Sequence, residues 1–336
     1  MATKPMDLES APKSFKAFSS ALLLSATYIV SYKTSTKLSS LIGFKGELTN
    51  FVPQFSEAGK SSENMLKVLF VTHEMDPYTG LTELSHIART LPQTLQEEGM
   101  EVRVFMPRYG KINERKHRLH EVIRLSGINI TVADEDNPMI IKVASLPIAK
   151  IQIYFLDNED LFHRKYFFYD ENDEFYDDNA IRTLFFNKGV IEVATKLGWE
   201  PDIIHVHGWM GNLIPLLSKT LYRHEPVFKN SKLIYSTYGN EFDHPIGDNY
   251  LENAHLQLGD HELPSELNLD NPNCQDLYKI AVTYADAVVN SSNGSMESLK
   301  SYIDDLDKPV LTELFDKENE DHYIEANKNF YRELTS

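Results

Sequence analysis

HEMDPYTGLTELSHIARTLP, residues 73–92, follows the apolar run KVLFVT and opens a stretch of helical pattern, LSHIARTLPQTLQEEG, that closes at Gly99. A buried strand, a short turn and a helix in that order form the unit in which a nucleotide-binding fold keeps its phosphate loop. Such a loop needs glycines for close backbone approach and a cation for charge. Here Gly80 is the single glycine, and no lysine lies between His73 and Pro92. The stretch therefore predicts the fold more firmly than it predicts a working phosphate site.

The same alternation continues along the chain. EVRVFM (101–106) reads as a second strand, and MIIKVASL and IQIYFL as further β runs. NAIRTLFFNKGVIEVATKL (179–197) has Ile181, Leu184, Phe185, Val190, Ile191 and Ala194 at helical spacing. DIIHVHG, KLIYSTYG and DAVVNSS are three more strands, and YIEANKNFYREL near the end is an acidic helical segment. Continuous apolar strands separated by helices predict an α/β domain, Rossmann-like, with a parallel sheet covered on both faces. Ligands of such sheets bind at the carboxyl ends of the strands. The residues expected on that rim are His73-Glu74, Gly80, Arg108-Tyr109, His207-Gly208-Trp209, Tyr238-Gly239-Asn240 and Ser291-Ser292.

The chain has 336 residues, 42% of them hydrophobic, and a formal net charge of −17. That charge disfavours nucleic acid and anionic membranes as partners and leaves neutral polymers open. A lone cysteine, Cys274, excludes a disulfide framework and suits the cytoplasm. NSS at Asn290 and NGS at Asn293 would accept glycans only in a secreted protein. Residues 1–64 differ in character. Their one apolar run, ALLLSATYIVSY, is too short to span a bilayer, and Asp7 and Glu9 spoil a signal peptide. The expectation is a disordered or non-native extension over 1–64, with a domain over 65–336.

Several motifs have bland readings beside sharper ones. His205 and His207 share one face of a strand and could ligate a metal, but the later strands end in Tyr238 and Ser291 rather than in further ligands. Histidines hydrogen-bonded at a strand end are preferred. YDENDEFYDD (169–178) lacks the mid-loop glycine and closing glutamate of a calcium loop and reads as a solvated loop. Trp209 and the Tyr and Phe cluster between Tyr166 and Phe186 could stack on sugar rings, although aromatics at this density also build cores.

Four stretches, in order, resemble one family. VFMPRYGKI (104–112), IYFLDNEDLFHR (153–164), PDIIHVHGWMGNLIPLL (201–217) and YADAVVNSS (284–292) are similar to the motifs VxMPxYGxI, IYLIDxPxLFxR, PDVVHAHDWHTALVPxxL and YADxVTTVSP of bacterial glycogen synthases and plant starch synthases. The resemblance implies the N-terminal, acceptor-side half of a GT-B glycosyltransferase. It also implies a hexosyltransferase lineage in α-1,4-glucan biosynthesis, with ADP-glucose as donor and no cofactor or metal. The second, nucleotide-binding GT-B domain is expected to be absent.

The departures are as informative. The family loop KTGGLxDV reads YTGLTEL here: the lysine is absent, one glycine is deleted, and Glu83 stands for the aspartate. Gly208 and Met210 replace the aspartate and the last histidine of the histidine motif, while His207 remains at the position that contacts the sugar in the family. Tyr238 replaces the histidine of TVHN. The expectation is a domain inactive alone, a pseudoenzyme, with no catalytic residue of its own. Thr79, Gly80, His207, Trp209, Tyr238 and Asn240 are expected to bind substrate. The partners expected are an α-glucan or maltooligosaccharide and, beyond it, a full-length or complementary synthase chain. A non-catalytic, glucan-binding regulator of such a synthase is the alternative.

Overall fold

Strand β1 (Lys67–Thr72) is the spine of the domain, with every residue after Lys67 buried. The computed structural model describes residues 65–336 except 81, 147–148, 240–241, 259–262, 266 and 292–296; the extension expected over 1–64 lies outside them. After β1 come α1 (Glu83–Glu97), β2 (Glu101–Pro107), β3 (His120–Glu121), β4 (Ile128–Val132), β5 (Glu135–Ser145) and β6 (Gln152–Asp157). The chain continues through α2 (Asn179–Leu197), β7 (Ile203–His207), α3 (Ile214–Lys219), β8 (Lys232–Thr237), α4 (Cys274–Tyr284) and β9 (Ala287–Asn290). It closes with α5 (Glu297–Asp304), β10 (Val310–Thr312) and α6 (Glu320–Thr335). Single-turn helices fill some connections.

The sheet runs β10-β9-β8-β7-β1-β2-β6-β5-β3. From β10 to β6 all neighbours are parallel; β5 pairs antiparallel with β6, and β3 and β4 with β5. β2 lies on one side of β1 and β7 on the other, so the order reverses there. This topological switch opens a crevice above the carboxyl ends of β1 and β7, where doubly wound sheets place their ligands. The Rossmann-like α/β fold expected from the apolar runs is present. β7 and β9 are wholly buried, as strands covered on both faces must be. The β4–β5 hairpin turns through Ala133 and Asp134, at φ 50° and 62°. This pair satisfies a two-residue hairpin turn without the usual asparagine or glycine.

Helices α2, α3, α4 and α5 pack in succession, and α6 returns to pack beside α1. Three polar anchors fix α6. The Tyr331 hydroxyl hydrogen-bonds His205 Nδ1, Tyr323 and Ser291 share a hydrogen bond of 2.9 Å, and Lys328 reaches Glu98 at 2.8 Å. His205 and Tyr331 are both fully buried, so each needs the other: an unpaired buried polar group costs about 1–3 kcal/mol. Tyr331→Phe, which keeps the ring and removes the hydroxyl, is therefore expected to cost about 1–3 kcal/mol in urea denaturation. An unchanged midpoint would show that His205 finds another partner.

Candidate functional site at the topological switch

The loop leaving β1 folds tightly on itself before it reaches α1. The amides of Tyr78 and Thr79 both donate to the Met75 carbonyl at 2.9 Å, and the Thr79 hydroxyl accepts the Met75 amide at 2.8 Å. Tyr78 is the loop's apolar foot, 7% exposed and packed edge-on against Phe155. Thr79, expected to meet substrate, is thus buried and spends its hydroxyl inside the turn, whereas Gly80 is exposed beside it.

The start of α1 is already engaged by an anion of the chain itself. Thr82 is the N-cap, its hydroxyl accepting the Leu84 amide. Glu74, 2% exposed, accepts hydrogen bonds from the Thr82 amide at 3.0 Å and from the Thr82 hydroxyl at 3.1 Å. A carboxylate at a helix N-terminus is favourable to the helix. It also reduces what that terminus can offer a phosphate, and residues 73–82 contain no lysine or arginine.

Across the crevice, β7 ends in two imidazoles in contact, tilted by 37° to each other. The rings of His205 and His207 lie 4.0 Å apart between centroids, as their shared strand face requires. His205 Nε2 bonds the Ser236 hydroxyl at 2.7 Å, and His207 Nδ1 bonds the Tyr238 hydroxyl at 2.8 Å. His207 Nε2 has no hydrogen-bond partner among the described residues. Burial first, and the neighbouring His73 second, pull the His207 pKa down to about 3. His205 is held well below the usual imidazole range by burial and then by His207. Both rings are neutral near neutral pH. His207 and Tyr238 are thus brought together as expected, Gly80 and Arg108 lie at the same edge of the sheet, and Asn240 falls outside the described residues.

Gly208 has a physical reason to be glycine. Its φ is 75° and ψ 170°, a conformation open essentially to glycine alone. A Cβ there would come within 2.5 Å of the His73 ring and 2.9 Å of Leu84. The space is used by packing: His73, Phe168, Trp209 and Phe242 contact one another in series, with centroids 5.2–5.7 Å apart. Trp209 is 2% exposed, so it belongs to the core as well as to the site.

Phe168, Trp209 and Phe242 of this series wall a cavity of about 670 Å³. Tyr166, Phe167, Tyr169 and Phe175 complete its apolar lining, and Glu74, Thr82, Lys111, Asp170, Glu171 and Asp173 supply the polar part. The aromatic cluster was legible in the sequence, as core or as a surface that could stack on sugar rings. Phe242 and Lys111 were not, because each reaches the cavity from a different loop. Gly110, in the MPRYGKI stretch, lets its loop close onto the backbone of Arg164, 2.8 Å from where a Cβ would stand. Asp170 closes its own loop by accepting the Asn172 and Glu174 amides at 2.7 and 3.0 Å. Those two bonds hold its carboxyl below the usual range. Among the described residues no group of three or more His, Cys, Asp or Glu is arranged to hold a metal ion.

The domain is thus a doubly wound, Rossmann-like sheet with an aromatic-walled cavity at its switch point. The family model described as the starch synthase catalytic domain matches residues 67–308, and the chain belongs to that family. It is 44% identical over 180 residues to the glycogen synthase of Chlorobium luteolum, which covers 53% of this chain and 36% of that protein. It is 37% identical over 252 residues to the glycogen synthase of Chlorobaculum tepidum, covering 75% of this chain and 49% of that protein. The chain thus spans half or less of the length of these curated relatives. The catalytic domain of starch synthase IV from Arabidopsis thaliana, solved bound to ADP and acarbose, superposes with a TM-score of 0.60. At 17% identity over 76% of this chain and 52% of that one, it establishes the shared fold.

Two expectations follow from the imidazole pair and Gly208. Unfolded histidines titrate near 6.5 and these two titrate lower when folded, so the unfolded chain binds more protons as pH falls below about 6.5. Stability should be full above that pH and decline towards about pH 5, by about 2 kcal/mol for His207 alone. Melting temperatures at about pH 7.5 and 5 check this, and equal values would contradict it. Gly208→Asp, which restores the aspartate of the resembling motif, should cost at least about 2 kcal/mol through backbone strain and the clash with His73. Chemical denaturation of the variant reads this directly, and unchanged stability would refute it.

Proposed function

We propose that this domain binds an α-glucan in the aromatic cavity and does not transfer glucose from ADP-glucose by itself. The observation that carries this reading is the pairing of Glu74 with Thr82 at the start of α1, next to a cavity walled by aromatic rings. A neutral glucan needs apolar faces and hydroxyl partners, both of which line the cavity. A diphosphate needs cations and free amides, and the loop after β1 presents a carboxylate instead. One charge-assisted phosphate contact is worth about 1.5–3 kcal/mol, and one transition-state donor about 10²–10³ in rate. A loop without its cation thus favours sugar binding over phosphate chemistry. The reading includes residence in the cytoplasm and a place in glucan metabolism as a binding or regulatory member of the family.

A second reading is favoured by His207, whose Nε2 is buried and unpartnered among the described residues. In it the domain works with a full-length or complementary synthase chain that brings the donor nucleotide, and His207 meets the transferred sugar. Titration separates the two. Maltotetraose should bind the isolated chain with Kd on the order of 0.1–10 mM, ADP-glucose more weakly, and no labelled glucose should reach the glucan. Tight ADP-glucose binding without a glucan response would overturn the first reading. Transfer by this chain together with a synthase chain that is inactive on its own would establish the second.

A further inference from the structure

The cavity has an electrostatic character that a neutral glucan does not require. Four carboxylates line it, Glu74, Asp170, Glu171 and Asp173, against one ammonium, that of Lys111. The ring faces on the same wall already hold ammonium groups of the chain. Lys111 Nζ stands 5.2 Å from the Phe167 ring centre and 5.7 Å from that of Tyr166, and Lys165 Nζ lies 4.9 Å from Tyr166 on the same stretch of chain. Aromatic faces attract cations through their quadrupole, and carboxylates around a low-dielectric cleft focus the same sign of field. Those two ring faces are already occupied, so the selectivity comes from the rim, where four carboxylates outnumber Lys111 and Lys165 and favour positive charge on a ligand over a phosphate.

Resting on the reading of this cavity as a sugar site, we propose that it is charge-selective: it takes an oligosaccharide bearing protonated amines in preference to the neutral chain, and the neutral chain in preference to a phosphorylated one. The pyranose faces stack on rings such as Phe175, Trp209 and Phe242, and the ammonium groups lie among Asp170, Glu171 and Asp173. Asp170 is fixed in its anionic state by the amides of its own loop, whereas Glu171 and Asp173 are exposed and available to the ligand.

The test uses the full chain and three maltotetraoses that differ only at C6 of each residue, carrying hydroxyl, amine or phosphate. Calorimetry at about 20 mM salt should rank them amine, hydroxyl, phosphate, with the amine at least about fivefold tighter than the hydroxyl. The spread should contract at about 0.5 M salt, where the Debye length is a few ångströms. The double variant Glu171→Gln, Asp173→Asn should fold, since both side chains are exposed and asparagine tolerates the φ of 65° at position 173. In it the amine-to-hydroxyl ratio should fall towards one. Equal affinity for amine and hydroxyl would overturn charge selectivity and leave the glucan reading standing. Binding of the amine alone would support selectivity and remove the neutral glucan as ligand. No binding of any of the three would overturn both.

Discussion

Two touching imidazoles on one strand of a parallel sheet, neutral and buried, constrain everything around the end of β7. An unpaired ring nitrogen in that environment is costly, and three of the four ring nitrogens are paired from elsewhere in the chain. Ser236 on β8 and Tyr331 on α6 serve His205, and Tyr238 beyond β8 serves His207, whose Nε2 has no partner among the described residues. The last helix is therefore tied to the site by a polar bond as well as by apolar contact. Changing the end of β7 would disturb α6, and loosening α6 would disturb the histidine beneath the site.

The same crowding explains why the crevice differs from a phosphate cradle. His73 occupies the space beside Gly208 that a side chain would otherwise fill, and Glu74 turns to the start of α1. The helix dipole is satisfied internally, and the loop's amides are spent on Met75 and its neighbours. What stays open is the aromatic cavity next to it. What surrounds it at the switch point is aromatic rings, with carboxylates at the rim.

Most of the parallel sheet was legible because strands covered on both faces must be continuously apolar: KVLFVT, DIIHVHG and KLIYSTYG are. The 179–197 helix was legible from its spacing and ends at Gly198, in the left-handed region. The hairpin of β4 and β5 was harder to read, since Ala133 and Asp134 give little turn signal and β4 is only five residues long. β10, three residues long, is a strand only because β9 offers it an edge. The site was half legible. His207, Tyr238 and Trp209 stood out by type and by place at strand ends. The use of the Thr79 hydroxyl, the partner of Glu74 and the arrival of Lys111 and Phe242 at one cavity are tertiary facts with no local pattern.

The cavity wall also shows how an acidic, aromatic surface is kept in shape. Behind it lies Arg182, fully buried, its guanidinium 5.3–5.7 Å from the rings of Phe162, Phe168 and Tyr176 and bonded to Asn179. Burial lowers its pKa, and its Nε and Nη2 have no hydrogen-bond partner among the described residues, so much of its charge is spent on ring faces. Arg164 pairs with Asp178 and covers Tyr176 from another side. Cations therefore brace the rings from within while Asp170, Glu171 and Asp173 face the cavity. A wall built this way holds its aromatic faces in place without a sheet or helix of its own.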